Sequence, residues 1–122
     1  MVYADTDFFL ATMKKKDWLK SNAKKLYKKY GKSLWTSVVT LTEILLLCQR
    51  YDLDPEKVTI SLFSICRISG IEKETALQAA YYMQHHKLNV FDAFHAAFSA
   101  NDEIISSDKI FDMLGIKRIK LE

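Results

Sequence analysis

Val2-Tyr3-Ala4-Asp5-Thr6-Asp7 is a short apolar run that ends on two carboxylates and passes at once into the helix-compatible Phe8-Phe9-Leu10-Ala11. A run this short, bounded by polar residues, reads as a buried strand, and the pattern after it reads as the helix that leaves a parallel sheet. The hand-over recurs. Leu34-Trp35-Thr36-Ser37 leads into the segment holding Glu43, Ile104-Ile105-Ser106-Ser107 leads to Asp108, and Asp92 opens a helical stretch of its own. In an open parallel sheet, ligands bind outside the carboxyl ends of the strands. One edge is therefore expected to collect all four acids.

Working outward, the periods predict strands at about 1–4, 33–37, 103–106 and 117–121. Helices are predicted at 7–15, 17–30, 40–51, 54–69, 72–86, 89–100 and 108–114. Parallel neighbours need crossover helices, so the alternation implies a parallel sheet covered on both faces. Gly31, Gly70 and Gly115 follow helical patterns and are expected as left-handed caps, and Pro55 follows Asp54 as a first-turn proline follows its N-cap. No linker or repeat interrupts the pattern, so residues 1–122 are expected to form a single domain.

The chain has 122 residues and a formal charge of +3, and the charge is unevenly spread. Segment 14–32 holds nine of the 18 basic residues and one of the 15 acids, so it carries +8 and the remainder −5. Cys48 and Cys66 lie in apolar helical contexts without metal-ligand spacing and are expected as buried free thiols, consistent with a reducing compartment. No apolar run approaches the roughly 20 residues that span a bilayer, and the first residues lack the basic and apolar regions of a signal peptide. A soluble, cytoplasmic protein that does not engage membranes is the expectation.

Each acid also has an ordinary structural explanation. Thr40-Leu41-Thr42-Glu43 matches a capping box, Asn89 with Asp92 matches an Asn cap, and Asp5 or Asp108 would cap the following helix. The set has a second explanation. Clustered anions raise one another's pKa unless a cation neutralises them, and a hard divalent ion with oxygen ligands does so.

In order along the chain, Val2-Tyr3-Ala4-Asp5-Thr6-Asp7, Ser37-Val38-Val39-Thr40-Leu41-Thr42-Glu43, Asn89-Val90-Phe91-Asp92-Ala93-Phe94-His95-Ala96-Ala97 and Ile104-Ile105-Ser106-Ser107-Asp108-Lys109-Ile110-Phe111-Asp112 resemble the successive motifs of PIN domains, in particular the VapC-type toxin ribonucleases. The resemblance covers nearly the whole chain. It implies a PIN-like three-layer α/β/α sandwich with a central, mainly parallel sheet of about four to five strands. It also implies a Mg²⁺- or Mn²⁺-dependent endoribonuclease whose catalytic quartet is Asp5, Glu43, Asp92 and Asp108. Asp5 and Asp92 would hold the metal, with Glu43 and Asp108 binding directly or through water. Asp7, Ser107, Asp112 and His95 are supporting candidates. A homodimer, an RNA substrate and a small inhibitory antitoxin are the implied partners. The alternatives are an RNA-processing PIN nuclease without an antitoxin and a non-catalytic RNA- or protein-binding PIN-like module.

Other residues have two readings each. His95 lies three residues after Asp92, on the same helix face; it either orients a carboxylate or contacts RNA, or packs beneath the site among apolar neighbours. Lys20, Lys24, Lys25, Lys28 and Lys29 form the face opposite the stripe Leu19, Ala23, Leu26, Tyr27 and Tyr30, either as a solvated surface or as an RNA-binding one. Trp18, Tyr27, Tyr30 and Trp35 are spaced as core residues. Two other chemistries fit poorly. Phe9 stands where a phosphoaspartyl phosphatase motif wants a small or hydroxyl residue, and Asp52 and Asp54 lie between helices, away from any strand end suited to a receiver-domain phosphoacceptor.

Overall fold

The computed structural model describes residues 1–122. β1 (Val2–Ala4), β2 (Leu34–Ser37), β3 (Arg67–Ser69), β4 (Glu103–Ser106) and β5 (Arg118–Lys120) form one sheet in the order β3-β2-β1-β4-β5. Every neighbouring pair is parallel, with Val2 opposite Leu34, Ala4 opposite Ile105, Thr36 opposite Ile68 and Ser106 opposite Lys120. β1 is the central strand. The chain crosses over in both directions from it, so the carboxyl ends of β1, β2 and β4 lie side by side at one edge.

Side-chain alternation divides the core between the two faces of the sheet. Val2, Ala4, Leu34 and Ile105 join Phe8, Phe9 and Leu10 of α1 (Thr6–Met13), Ala23 of α2 (Lys20–Tyr30), Ile44 of α3 (Val38–Leu47) and Leu62 of α4 (Pro55–Ile65). Tyr3, Trp35 and Ile104 take the opposite face with Ala79 and Tyr82 of α5 (Lys73–His86), Ala93 and Ala96 of α6 (Val90–Ser99) and Phe111 of the short α7 (Ile110–Met113). The result is the expected three-layer arrangement with helices on both faces of a parallel sheet.

Several boundaries differ from the sequence reading, each for a local reason. The helix expected over 54–69 stops at Ile65 and gives way to the edge strand β3. Val58, Leu62, Ile65 and Ile68 keep helical spacing through the break, so periodicity could not reveal it; pairing of Ile68 with Thr36 decides the outcome. α2 begins at Lys20 rather than 17, because the Asp17 carboxylate accepts the Leu19 amide at 2.8 Å and pairs with Lys14 at 2.9 Å. α3 begins at Val38, with the Ser37 hydroxyl accepting the Thr40 amide at 3.5 Å. Thr40 is therefore inside the helix, and the capping box expected at Thr40–Glu43 does not form.

The glycine reading also needs correction. Gly115 does adopt a left-handed φ of 73°, but Gly31 is right-handed at −39°, and the left-handed cap of α5 is Lys87 at 59°. Trp18 is 78% exposed and Tyr27 43%, so neither belongs to the core, whereas Trp35 is buried and donates its indole N–H to Asp102 at 2.9 Å. Both cysteines are free; Cys48 is buried and Cys66 only partly so. No helix is long and apolar enough to cross a membrane.

Leu62 is the fully buried contact through which α4 reaches the face of the sheet bearing Val2 and Ile105. Leu62→Ala is expected to lower the unfolding free energy by about 2–5 kcal/mol, read by urea denaturation.

Candidate active site

Five parts of the fold deliver acids to one cleft of about 350 Å³ at the carboxyl edge of the sheet. Asp5 follows β1 as the N-cap of α1, Asp7 lies in the first turn of α1, Glu43 lies in α3, Asp92 lies in the first turn of α6, and Ser107 and Asp108 follow β4. Thr6, Leu10 and Leu47 complete the lining. Asp5, Glu43, Asp92 and Asp108 are thus brought together, although they lie 38, 49 and 16 positions apart in succession along the chain.

Asp5 is the most buried of these carboxylates, and its oxygens are well supplied with donors. The Thr6 amide donates to Oδ1 at 2.7 Å and the Ser106 hydroxyl to Oδ2 at 2.7 Å. Ser106 Oγ in turn accepts the Asp108 amide at 2.9 Å, so one serine ties the acid at the end of β1 to the acid after β4. His95, buried beneath the cleft, places Nε2 at 2.9 Å from Glu43 Oε1 and 3.3 Å from Asp5 Oδ1. The Thr6 hydroxyl donates to the same Glu43 oxygen.

The remaining acids are held from the loops and caps. Asp7 Oδ2 accepts the Ser107 amide at 2.8 Å and the Ser107 hydroxyl, pinning the loop after β4 against α1. The Asn89 side chain caps α6 by accepting the Asp92 amide at 2.9 Å and donates to Asp92 Oδ2 at 3.0 Å. Exposed Asp108 accepts the Ile110 amide on Oδ1 at 3.0 Å.

The electrostatics show a site short of positive charge. Burial raises the pKa of Asp5, and Glu43 adds to the rise against the lowering by His95, Ser106 and Thr6. Burial and then the Asp5 charge push Asp7 up to about 7. Asp92 is raised by burial, then by Asp108 and Asp5. Glu43 goes the other way: burial opposes its charge, but bonds from His95 and Thr6 outweigh it. Burial likewise opposes charging of His95, yet Asp5, Tyr3 and Glu43 hold the ring's pKa well above its ordinary value.

These residues fit a divalent cation. Asp7 Oδ1 is buried with no hydrogen-bond partner, and carboxylate oxygens of Asp5 and Glu43 lie, together with a His95 ring nitrogen, within 4.8 Å of one another. Repelling carboxylates with raised pKa values are relieved by a nearby cation. The donor set is dominated by oxygen, which suits a hard divalent cation.

A sequence model of the PIN domain family matches residues 2–117. The chain belongs to the PIN domain family. Solved structures with the same fold include a toxin–antitoxin complex from Klebsiella pneumoniae, at 19% identity and TM-score 0.78 over 100% of this chain and 98% of that one. VapC20 of Mycobacterium tuberculosis, a sarcin-ricin loop cleaving toxin, matches at 18% identity and TM-score 0.80 over 95% and 96% of the two chains. DNA-bound VapBC from Salmonella typhimurium matches at 14% identity and TM-score 0.74 over 99% and 98%. At these identities the likeness is one of fold. No curated protein matches the chain significantly.

Two of the candidate residues are not delivered where the sequence suggested. Asp112 is drawn away from the cleft by Arg118, whose guanidinium meets both its oxygens at 3.1 Å and also reaches Glu122 and the Ser106 carbonyl. Lys20 does not stand free in water with the other lysines, because its ammonium donates to the Thr12 and Lys14 carbonyls. Lys24, Lys25, Lys28 and Lys29 are exposed. Sequence reading overlooked Thr6, Tyr3 and Arg118. Thr6 had a signal, since a hydroxyl between two strand-end acids is placed to donate to one of them; the other two depend on contacts no local pattern encodes.

A sign follows for the pH dependence. Because the Asp7 pKa rises from 3.8 unfolded to about 7 folded, the native state binds more protons between those values, and stability falls as pH rises through that window. In metal-free buffer, Asp7→Asn is expected to flatten the stability loss between about pH 4 and 7, read by urea denaturation at stepped pH.

Proposed function

We propose that this PIN domain is a divalent-metal-dependent endoribonuclease and the toxin component of a toxin–antitoxin pair. The observation that carries this reading is the convergence of Asp5, Glu43, Asp92 and Asp108 on one cleft at the carboxyl edge of the sheet. The neighbouring folds support the assignment, since they include a toxin that cleaves the sarcin-ricin loop and toxin–antitoxin complexes. Asp5 and Asp92 would hold Mg²⁺ or Mn²⁺, with Glu43 and Asp108 completing the site directly or through water. Bound there, the ion supplies a Lewis acid that offsets charge on the scissile phosphate and makes water a better nucleophile at neutral pH.

The chain's own groups account for the rest of the chemistry. Asp108 is exposed at the cleft and only its Oδ1 is committed to a backbone amide, so Oδ2 is available to orient a water and take its proton. The water oxygen bonds to phosphorus and the bond from phosphorus to the 3′ oxygen breaks. The leaving 3′ oxygen takes up a proton from solvent and Asp108 returns the one it accepted to solvent, leaving a 5′-phosphate and a 3′-hydroxyl. Ser106 and Thr6 hold Asp5 in place, and Asp7 with Ser107 fixes the loop that carries Asp108.

Partners follow from the surfaces. Lys24, Lys25, Lys28 and Lys29 offer phosphate contacts that are independent of base sequence. Beside Lys24, Phe8, Phe9, Thr12, Tyr27 and Ile65 line a mostly apolar cavity of about 480 Å³, suited to an antitoxin segment combining apolar and acidic residues. Leu46, Ile60 and Phe63 are 67%, 69% and 59% exposed on α3 and α4 and support burial against a second copy. The cytoplasm suits a nuclease of this kind with free thiols.

Two measurements test the proposal. Asp92→Asn removes a ligand charge at nearly constant shape. It is expected to reduce Mg²⁺-dependent RNA cleavage by more than the roughly 10–100-fold typical of losing a ligand-supporting group, with an unchanged circular dichroism spectrum. Near-wild-type turnover by the folded variant excludes Asp92 from the site. Replacing Lys24, Lys25 and Lys28 together with Gln is expected to flatten the salt dependence of RNA binding by a slope of about 0.7 per lost contact, with much less effect on cleavage at saturating RNA. An unchanged slope assigns the lysine face to solvent or to a protein partner.

A further inference from the structure

Below the acidic cleft runs a chain of buried polar side chains that the proposed chemistry does not use. Tyr3, Thr36, Ser37, Thr40 and His95 are all at most 1% exposed, on the central strand, β2, α3 and α6. Thr36 donates to the Ala4 carbonyl at 2.8 Å and lies 2.8 Å from the Thr40 hydroxyl. The Tyr3 hydroxyl is 3.2 Å from Thr40 Oγ1, 2.8 Å from Ser37 Oγ and 2.8 Å from His95 Nδ1. The tyrosine ring is fixed in turn, edge-on to Trp35 at 5.0 Å and stacked on Phe98 at 5.9 Å. Half-satisfied buried networks are costly, but every member of this one has a partner.

The direction of the last link can be assigned. His95 Nε2 faces Glu43 Oε1, Asp5 Oδ1 and, at 3.3 Å, Thr6 Oγ1. Carboxylate oxygens only accept, and the Thr6 hydroxyl already directs its one hydrogen to Glu43. Nε2 must therefore carry the hydrogen. Its N–H donates to the carboxylates, and its lone pair is not offered as a ligand.

We propose that His95, with its ring set by the Tyr3 hydroxyl, is a positioning residue that holds Asp5 and Glu43 converged on a common divalent cation. The inference rests on the metal-dependent reading of the cleft. Without the N–H, two like-charged carboxylates from different elements have no common donor other than Thr6, and their repulsion favours separation. A histidine serving only as a space-filling core residue would leave cation affinity unchanged. One serving only as a local positive charge would oppose the cation, so its removal would tighten binding.

The purified chain, free of partner and stripped of metal, is titrated with Mn²⁺ and free Mn²⁺ is followed by electron paramagnetic resonance. His95→Leu is expected to weaken Mn²⁺ binding by roughly 10–100-fold, the usual cost of losing a group that orients a ligand. His95→Gln, which keeps an N–H donor but no charge, should recover most of that loss, and Tyr3→Phe should fall between the two. A folded His95→Leu that binds Mn²⁺ as well as the wild type, or better, overturns the proposal. Should His95→Leu fail to fold, Tyr3→Phe decides, and unchanged affinity there overturns it. Long-range proton–nitrogen NMR on the metal-free chain is a second readout: protonated Nε2 with ring shifts moved by Tyr3→Phe supports the clamp, and unprotonated Nε2 overturns it. A wild-type chain that binds no Mn²⁺ removes the metal-dependent reading itself, while the NMR still decides the clamp.

Discussion

A buried carboxylate at the end of the central strand is the constraint around which this PIN domain is arranged. Asp5 sits within the core rather than at its rim, and a charge so placed is tolerated only where donors surround it. The Thr6 amide, the Ser106 hydroxyl and the His95 ring meet that need from three elements. Those same contacts bring β4, α6 and, through His95, the Glu43 carboxylate of α3 toward one point. Satisfying one acid thereby assembles the others. What the protein cannot satisfy with its own donors, the Asp7 oxygen without a partner and the raised pKa values of Asp5, Asp7 and Asp92, is what a cation would relieve.

The order of elements was legible because the strands read as short apolar runs ending in small or acidic residues. Both Val2-Tyr3-Ala4 and Ile104-Ile105-Ser106 form strands, and the helices between them pack on the two faces. β3 was not legible, since Ile68 continues the spacing of Val58, Leu62 and Ile65 and only its pairing with β2 makes it a strand. The start of α3 was hidden for a related reason. Ser37 and Thr40 are both plausible caps, and the choice falls to Ser37 because it ends a strand whose backbone is already paired. That outcome bears on the site: Glu43 is released from any capping role and faces Thr6 and His95 instead.

Of the candidate site, Asp5 and Asp108 after strands, Asp92 in the first turn of α6 and Glu43 one turn further into α3 could be read from their places in the chain, because topology carries such positions to one edge. The supporting residues divide by how local their contacts are. Ser107 and Asp7 were nameable from position, whereas Asp112 looked equivalent to Asp108 until Arg118, six residues later, claimed it. His95 shows the same limit. Its apolar neighbours in sequence suggest a core histidine, and it is buried as a core residue would be, yet its ring meets Tyr3 on one side and two carboxylates on the other. Burial and participation in the site are not alternatives here.

We propose one kind of occupant for the cleft, a divalent cation held by the carboxylates Asp5, Glu43, Asp92 and Asp108. Crystals of the chain soaked in Mn²⁺ and measured for anomalous scattering address this directly. An anomalous peak is expected within the cleft, with oxygens of Asp5 and Asp92 among its ligands at bonding distance. Mn²⁺ bound only elsewhere, or a cleft empty of anomalous density at millimolar Mn²⁺ in crystals whose carboxylates keep the arrangement described above, would contradict it.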